Sequence, residues 1–359
     1  MDYLRRAVSL AMKAHGETFP NPIVGAVIAL NERILGEGYH ERAGSPHAEI
    51  VALKNAGDAR DATLYTTLEP CVHHGLQPPC TDAIVSSGVS RVVIGAMDPN
   101  PVTAGQGVNR LLIAGIDVEI RNDPQCLRAI EEFRSWVLLK RPYVALKMAS
   151  SLDGYISSEG ETRQQLTGKR WFRDLQRLRA GFQAVMVGAG TLLVDDPLLT
   201  IRKPPLKRRF VRIVVGGRRE LPASSRGFTS TAGYQQSILL VPDREAPWLQ
   251  QLGGSVDVLC APDNRGGVDV SAGLQMLYEQ RDIHTILCEG GPTLAGALLS
   301  ARAVDRLYWA TAPMLLSSEQ GVQAIKMLQK GITSVALEFD GVKQRGRDIV
   351  LTAAVRYDV

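Results

Sequence analysis

The chain opens on an amphipathic pattern. Leu4, Ala7, Val8, Ala11 and Met12 recur at helical spacing and predict a helix from Asp2 to about Ala14. Short apolar runs then predict strands over Ile23–Leu30 and Ile34–Tyr39, with a turn at Asn31-Glu32. The alternation continues with a helix at His47–Ala56, a strand at Thr63–Leu68, a helix at Cys80–Ser87 and a strand at Arg91–Ala96. A helix near Gly107–Ala114 and a strand at Asp117–Ile120 complete it. Strands alternating with helices in this rhythm imply an α/β/α sandwich.

The pattern over Pro124–Leu139 is helical and stops at Arg141-Pro142. Proline cannot continue a helix, and a new strand pattern starts at Tyr143-Val144-Ala145-Leu146-Lys147, so two domains are expected, 1–141 and 142–359. The second is again α/β. Strands are predicted at Tyr143–Met148, Ala184–Val187, Val211–Val215, Ser237–Val241, Val256–Cys260, His284–Cys288 and Arg306–Thr311. Helices are predicted at Gly168–Ala180, Val270–Glu279 and Thr293–Ser300. Strands at Ser334–Asp340 and Asp348–Ala354, joined through 341–346, predict a closing hairpin.

Composition narrows the function. With 359 residues, 45% hydrophobic and 22% charged, the chain has ample apolar area for two cores, and disorder is excluded as its dominant state. A net charge of +4 and an aromatic share of 6% do not make the basic, base-stacking footprint of a nucleic-acid binder. The single basic cluster, 202–209, reads as a solvated loop. Five cysteines are too few and too odd for a disulfide framework. No stretch reaches the roughly 20 apolar residues of a membrane span, and the N-terminal pattern is not a signal peptide, so a cytoplasmic protein is expected.

Candidate chemistry lies in the first half. His47-Ala48-Glu49 opens a predicted helix, and Pro70-Cys71 is followed by Pro79-Cys80. One imidazole and two thiolates suit zinc and leave a fourth position for water. Glu49, two residues after His47, is placed to shuttle the water's proton without binding metal. Zinc base deaminases share this H-x-E and P-C arrangement, although two residues intervene between their cysteines and here eight do. Cys80 directly precedes a helical stretch, where the thiolate is favoured. The plainer alternatives are inert core cysteines, or a closed structural site completed by His73 or His74.

In order along the chain stand Pro20-Asn21-Pro22-Ile23-Val24-Gly25, Gly36-Glu37-Gly38-Tyr39-His40, Pro46-His47-Ala48-Glu49, Thr67-Leu68-Glu69-Pro70-Cys71 and Asp98-Pro99-Asn100-Pro101. The second half carries Ser151-Leu152-Asp153-Gly154, Asp195-Asp196-Pro197 and Glu289-Gly290-Gly291-Pro292. With these the chain resembles the bifunctional riboflavin-biosynthesis deaminase/reductase family. The resemblance implies a cytidine-deaminase-like α/β/α domain followed by a dihydrofolate-reductase-like α/β domain. It implies a zinc-dependent hydrolytic deamination of 2,5-diamino-6-(5-phosphoribosylamino)pyrimidin-4-one, then an NADPH-dependent reduction of the ribosyl group to ribityl. Asn21, His40, His73, Asp98 and Asn100 would line the deaminase pocket. In the second domain Thr162, Arg179, Leu199, Arg202 and Glu289 would meet substrate, with Lys147 matching a ligand-contacting position. Ala149, Thr191, Asp195, Gly291, Pro292 and Thr293 would meet NADPH. A Gly-Gly turn opening a helix suits a phosphate. The partner implied is a small pyrimidine nucleotide, with no nucleic acid or membrane, and a homo-oligomer through the second domain.

The chain departs from the family's pattern at several places. Leu76-Gln77 replaces a cation expected to meet the substrate phosphate. The stretch 160–167 lacks the expected Trp, Tyr155 replaces a basic residue, and Gly216-Gly217 replaces Asp-Ser. These changes raise the expectation of an impaired reductase. They also raise that of a deaminase-only paralogue in a toxoflavin-like 7-azapteridine pathway. From another class, a non-catalytic zinc-bound module is disfavoured by Glu49, which a structural site does not need.

Overall fold

The computed structural model describes residues 2–73, 78–158, 165–202, 208–229, 235–264, 266–317, 319–326 and 334–357. The chain forms two compact units, Met1–Lys140 and Arg141–Val359. The division falls one residue before the expected boundary, because the Arg141 guanidinium holds Asp305 through two hydrogen bonds of 2.8 and 3.0 Å and so belongs to the second unit.

The first unit contains α1 (Tyr3–Ala11, continued by a 3-10 turn at Met12–Ala14), β1 (Gly25–Leu30), β2 (Arg33–Tyr39), α2 (Ala48–Ala56) and β3 (Thr63–Thr66). It goes on through α3 (Cys80–Ser86), β4 (Arg91–Ile94), α4 (Gln106–Ile113), β5 (Asp117–Ile120), α5 (Pro124–Ala129) and α6 (Glu131–Leu139). The strands make one sheet in the order β2-β1-β3-β4-β5. β1 runs antiparallel to β2 and β3, and β3, β4 and β5 run parallel. Alternate residues of β1 face opposite layers. Ala26 and Ile28 pack with Ala48, Ala52, Ile84 and Leu111 of α2, α3 and α4, while Val27 packs with Ala7 and Leu10 of α1. Leu4, Val93, Cys126 and Ile130 extend the α1 side to α5. This is the expected three-layer sandwich. The long predicted helix at Pro124–Leu139 is two helices, because the backbone leaves the helical region at Ile130 (φ −101, ψ 8) and restarts.

α2 lies unusually close to β2. A Cβ on Gly38 would stand 2.4 Å from the Ala48 carbonyl oxygen and 2.6 Å from the Ala52 amide. Only a residue without a side chain permits this approach.

The second unit contains β6 (Tyr143–Ser151), β7 (Tyr155–Ser157), α7 (Lys169–Ala180), β8 (Ala184–Gly188), α8 (Ala189–Asp195), β9 (Phe210–Val215), α9 (Arg226–Thr229), β10 (Gln235–Val241) and β11 (Val256–Cys260). Then come β12 (Asp263–Asn264), β13 (Gly267–Val268), α10 (Val270–Arg281), β14 (Thr285–Cys288), α11 (Pro292–Ser300), β15 (Arg306–Ala312), β16 (Val322–Gln323), β17 (Ala336–Arg345) and β18 (Asp348–Arg356). The main sheet has the order β11-β10-β9-β8-β14-β6-β15-β18-β17 and is parallel from β11 to β15, with β18 and β17 antiparallel. One face packs on α10 and α11 through residues such as Val144, Met186, Ile213, Leu277 and Leu298. Val185, Val214 and Leu239 pack on the other face against Leu192 and Phe228 of α8 and α9, and Leu175 of α7 packs on Tyr143 and Leu287.

The closing hairpin is tighter than expected. Gly341–Arg345 continue the strand after a bulge at Phe339/Gly341, and the turn is the two residues Gly346-Arg347, with Gly346 at φ 69. Among the described residues, no helix is long and apolar enough to cross a membrane.

Candidate active sites

In the first unit, one edge of the sheet collects the predicted groups. Asn21 precedes β1, His40 follows its antiparallel neighbour β2, and Cys71 and Asp98 follow the parallel strands β3 and β4. His47 caps α2 and Cys80 begins α3. His47 Nδ1 lies 3.1 Å from Cys80 Sγ and 3.5 Å from Cys71 Sγ, and the three ligand atoms all fall within 4.8 Å of one another. Ligands on a tetrahedral zinc at usual bond lengths stand about 3.6 Å apart, so the donor set fits that ion with little movement. His73 is exposed. Among the described residues the cluster therefore has three protein ligands, the number that leaves zinc an open position.

Glu49 is 3% exposed, with Oε2 3.6 Å from Cys80 Sγ. Burial pushes its carboxyl up to about 7, the range in which it exchanges a proton at neutral pH. The contact with Cys80 holds the Cys71 thiol down to about 4, while the same contact pushes Cys80 up. The Cys71 contact also raises His47. Burial lowers His40. The Pro46 carbonyl can only accept, so His40 Nδ1–H donates to it at 3.2 Å, and the Asn21 amide nitrogen donates to Nε2 at 3.1 Å. The His40 ring meets the His47 ring edge-on at 5.4 Å, so Asn21, His40 and His47 form one continuous row.

Asp98 and Asn100 lie on the same edge, but their side chains shape their own loop. Asp98 Oδ1 accepts from the Asn100 amide at 2.9 Å, Asp98 Oδ2 from the Thr103 hydroxyl at 2.7 Å, and Asn100 Oδ1 from the Val102 amide at 3.1 Å. Sequence reasoning gave no role of its own to Glu69. Its buried carboxylate accepts two backbone amides of this loop and two of the first turn of α4, at 2.9 to 3.2 Å. Its position two residues before Cys71 is the one local signal; its partners lie about thirty to forty residues away, beyond the reach of any motif. Leu76 and Gln77 lie outside the described residues.

In the second unit a cleft of about 1480 Å³ opens at the C-terminal ends of β8, β9 and β14, the usual ligand edge of a parallel sheet. It brings together Lys147, Ala149, Arg179, Thr191, Asp195, Leu199, Arg202, Glu289, Gly291, Pro292 and Thr293; Thr162 lies outside the described residues. Arg179 grips Glu289 at 2.5 and 3.0 Å and the Thr200 carbonyl at 3.0 Å. Burial works to raise Glu289, but Arg179 and Lys147 outweigh it and hold the carboxyl below its usual range. Burial lowers Lys147, against the pull of Glu289 and Asp195. Arg202 lies 5.8 Å over the Phe172 ring. Among the described residues no side chain caps α11, whose N-cap is Gly291 and whose first residue, Pro292, has no N–H. Leu199 is buried at φ 50, a conformation that an apolar residue adopts only when its surroundings impose it. Gly216 fits its place by packing, because a Cβ there would stand 2.9 Å from Leu239 Cδ1. Tyr155 packs on Gly321. The cleft thus retains its charged centre and its Gly-rich turn.

Comparison with known proteins follows the same division. Residues 1–96 match the family described as the cytidine and deoxycytidylate deaminase zinc-binding region, and residues 142–351 match the RibD C-terminal domain. The riboflavin biosynthesis protein RibD of Escherichia coli is 38% identical over 372 residues, covering 97% of each chain. That of Aquifex aeolicus is 36% identical, covering 98% of this chain and 97% of the relative. Among solved structures, RibD of Acinetobacter baumannii superposes with a TM-score of 0.82 at 32% identity, over 99% of this chain and 98% of that one. The diaminohydroxyphosphoribosylaminopyrimidine deaminase/5-amino-6-(5-phosphoribosylamino)uracil reductase of Thermotoga maritima gives 0.83 at 33%, over 98% and 97%. With its two sites, both matched domains and full-length relatives of this identity, the chain belongs to the RibD family of bifunctional riboflavin-biosynthesis enzymes.

Proposed function

We propose that the first unit hydrolyses the 2-amino group of 2,5-diamino-6-(5-phosphoribosylamino)pyrimidin-4-one, and that the second unit reduces the ribosyl group of the product with NADPH. The observation that carries the first half is Glu49, buried beside a three-ligand set of one imidazole and two thiols. Zinc held by His47, Cys71 and Cys80 supplies a Lewis acid that makes water nucleophilic at neutral pH. Glu49 takes a proton from the attacking water and delivers it to the departing nitrogen; the C–N bond breaks and ammonia leaves. Asn21, oriented by His40, offers its remaining carbonyl oxygen to the pyrimidine edge. Asp98, Asn100 and His73 belong to the same pocket in this reading.

In the second unit NADPH supplies a hydride. The α11 N-terminus at Gly291-Pro292-Thr293, with Thr191, Asp195 and Ala149, holds the cofactor. Lys147, Arg179, Leu199, Arg202 and Glu289 hold the phosphoribosyl group. The retained cleft supports a working reductase over a retired one, and no feature of it favours a toxoflavin-like route. The five free thiols fit a reducing, cytoplasmic setting. A homo-oligomer through the second unit is part of this reading, supported by the exposed apolar Phe339, Val342 and Ile349 on β17 and β18.

The test supplies the zinc-loaded protein with this pyrimidine, with and without NADPH, and follows ammonia and NADPH together. Release of ammonia with one NADPH consumed per product is expected. Ammonia without NADPH oxidation would remove the second half of the proposal, and no ammonia would remove the first.

A further inference from the structure

We infer that Glu69 is a positioning residue of the deaminase reaction, and that its carboxylate fixes the loop bearing Asp98 and Asn100 against the segment that supplies Cys71. The inference rests on the proposed deaminase reading for the use made of that loop.

Oε2 accepts from the Asp98 amide at 3.2 Å and the Gly105 amide at 3.0 Å. Oε1 accepts from the Gly107 amide at 2.9 Å and the Val108 amide at 3.2 Å. The first pair lies at the two ends of the loop 98–105. The second pair lies in the first turn of α4. One anion therefore closes the loop and caps the helix that follows it. The helix has no local alternative, because its N-cap residue is Gly105, which has no side chain to offer. The helix dipole and four amides satisfy a carboxylate that is 6% exposed, so its burial is compensated without a cation.

The other side of Glu69 is the metal segment. Its own amide bonds the Ala96 carbonyl at 2.9 Å, joining the ends of β3 and β4, and Cys71 follows two residues later. The fit leaves no slack: a Cβ on Gly107 would stand 2.2 Å from the Pro70 carbonyl oxygen and 3.0 Å from Glu69 Cγ. Among the described residues no hydrogen bond joins the Glu69 side chain to His47, Cys71 or Cys80, so its effect reaches the chemistry through the loop. A neutral amide at this position accepts through one oxygen only. It must abandon either the loop ends or the helix.

The test compares the zinc-loaded wild type, Glu69→Gln and Glu69→Asp for zinc content, deaminase kcat and KM, and amide hydrogen exchange across 97–108. NADPH-dependent turnover of the deaminated nucleotide by the second unit serves as an internal control of folding. For Glu69→Gln a KM increase of about ten- to a hundredfold is expected, the size of one or two lost hydrogen bonds to a buried charge. Exchange should accelerate within 97–108, with full zinc, kcat within about threefold and reductase turnover unchanged. Glu69→Asp keeps the charge but is one methylene short, and should give the same pattern at smaller size; it also carries the test if Glu69→Gln does not fold. An unchanged KM would overturn the inference, as would loss of zinc or kcat in step with KM. If the wild type itself released no ammonia, the deaminase reading would fall first, before any variant was compared.

Discussion

The two sites are built on opposite plans. The first is a tight cluster: an imidazole, two thiols and a carboxylate, with metal-ligand atoms within 4.8 Å of one another, set by the starts of α2 and α3 and one strand-end loop. The second is a cleft of about 1480 Å³ whose polar groups come from β6, α7, α8 and the ends of parallel strands. In the first, identity of the donor atoms decides the chemistry. In the second, the proposed reading leaves the placing of a large ligand to a buried ion pair and a Gly-rich turn, and many residues share the task. The compact site should therefore fail abruptly when one atom changes, and the open one by degrees.

Metal removal is the sharpest way to separate them. Chelation of zinc should abolish ammonia release while leaving NADPH-dependent turnover of the deaminated nucleotide intact; parallel loss of both activities would break the contrast. Glu49→Gln should cut deaminase kcat by about 10²–10⁴-fold, the usual contribution of a general acid–base group, at unchanged zinc content. Loss of metal in that variant would make Glu49 a ligand rather than a proton carrier.

A smaller effect is expected from Arg179→Met. It leaves Glu289 buried without its partner, which costs about 3–5 kcal/mol of stability in the second unit, read as a fall in its unfolding midpoint in urea. The sign with pH is distinctive. In the wild type Glu289 is held below its unfolded value, so its contribution is present above that value and is lost as pH falls through the folded pKa. In the variant burial acts with less opposition and raises the carboxyl. The deficit should then be larger at pH 7 than at pH 4. A deficit independent of pH would show that Glu289 is not the cause.

Legibility in the sequence followed distance along the chain. His47, Glu49, Cys71 and Cys80 sit in short motifs whose chemistry is local, and the structure brings them together. The alternation of β1 to β5 with helices needed only periodicity. Other features depended on contacts that periodicity does not carry. Ile130 breaks a helix whose apolar pattern runs on. The helix Ala189–Asp195 was not predicted, since two glycines within Gly188-Ala189-Gly190 lower any helical signal. Arg345 stays in a strand because it pairs with Asp348, which placed the hairpin turn later than Gly341. Glu69 looked like part of a cysteine motif, and its four partners appear only after the chain has folded.

Ala48, between the imidazole proposed to hold the metal and the carboxylate proposed to carry the proton, rests its carbonyl directly over Gly38. A single added methyl at residue 38 would have to lift the start of α2, and with it His47 and Glu49. The tolerance of this enzyme to change is thus set partly by a hydrogen atom on a neighbouring strand. A survey of variants ranked by charge or polarity would pass over that position, whereas one ranked by the room left for a methyl group would put it first.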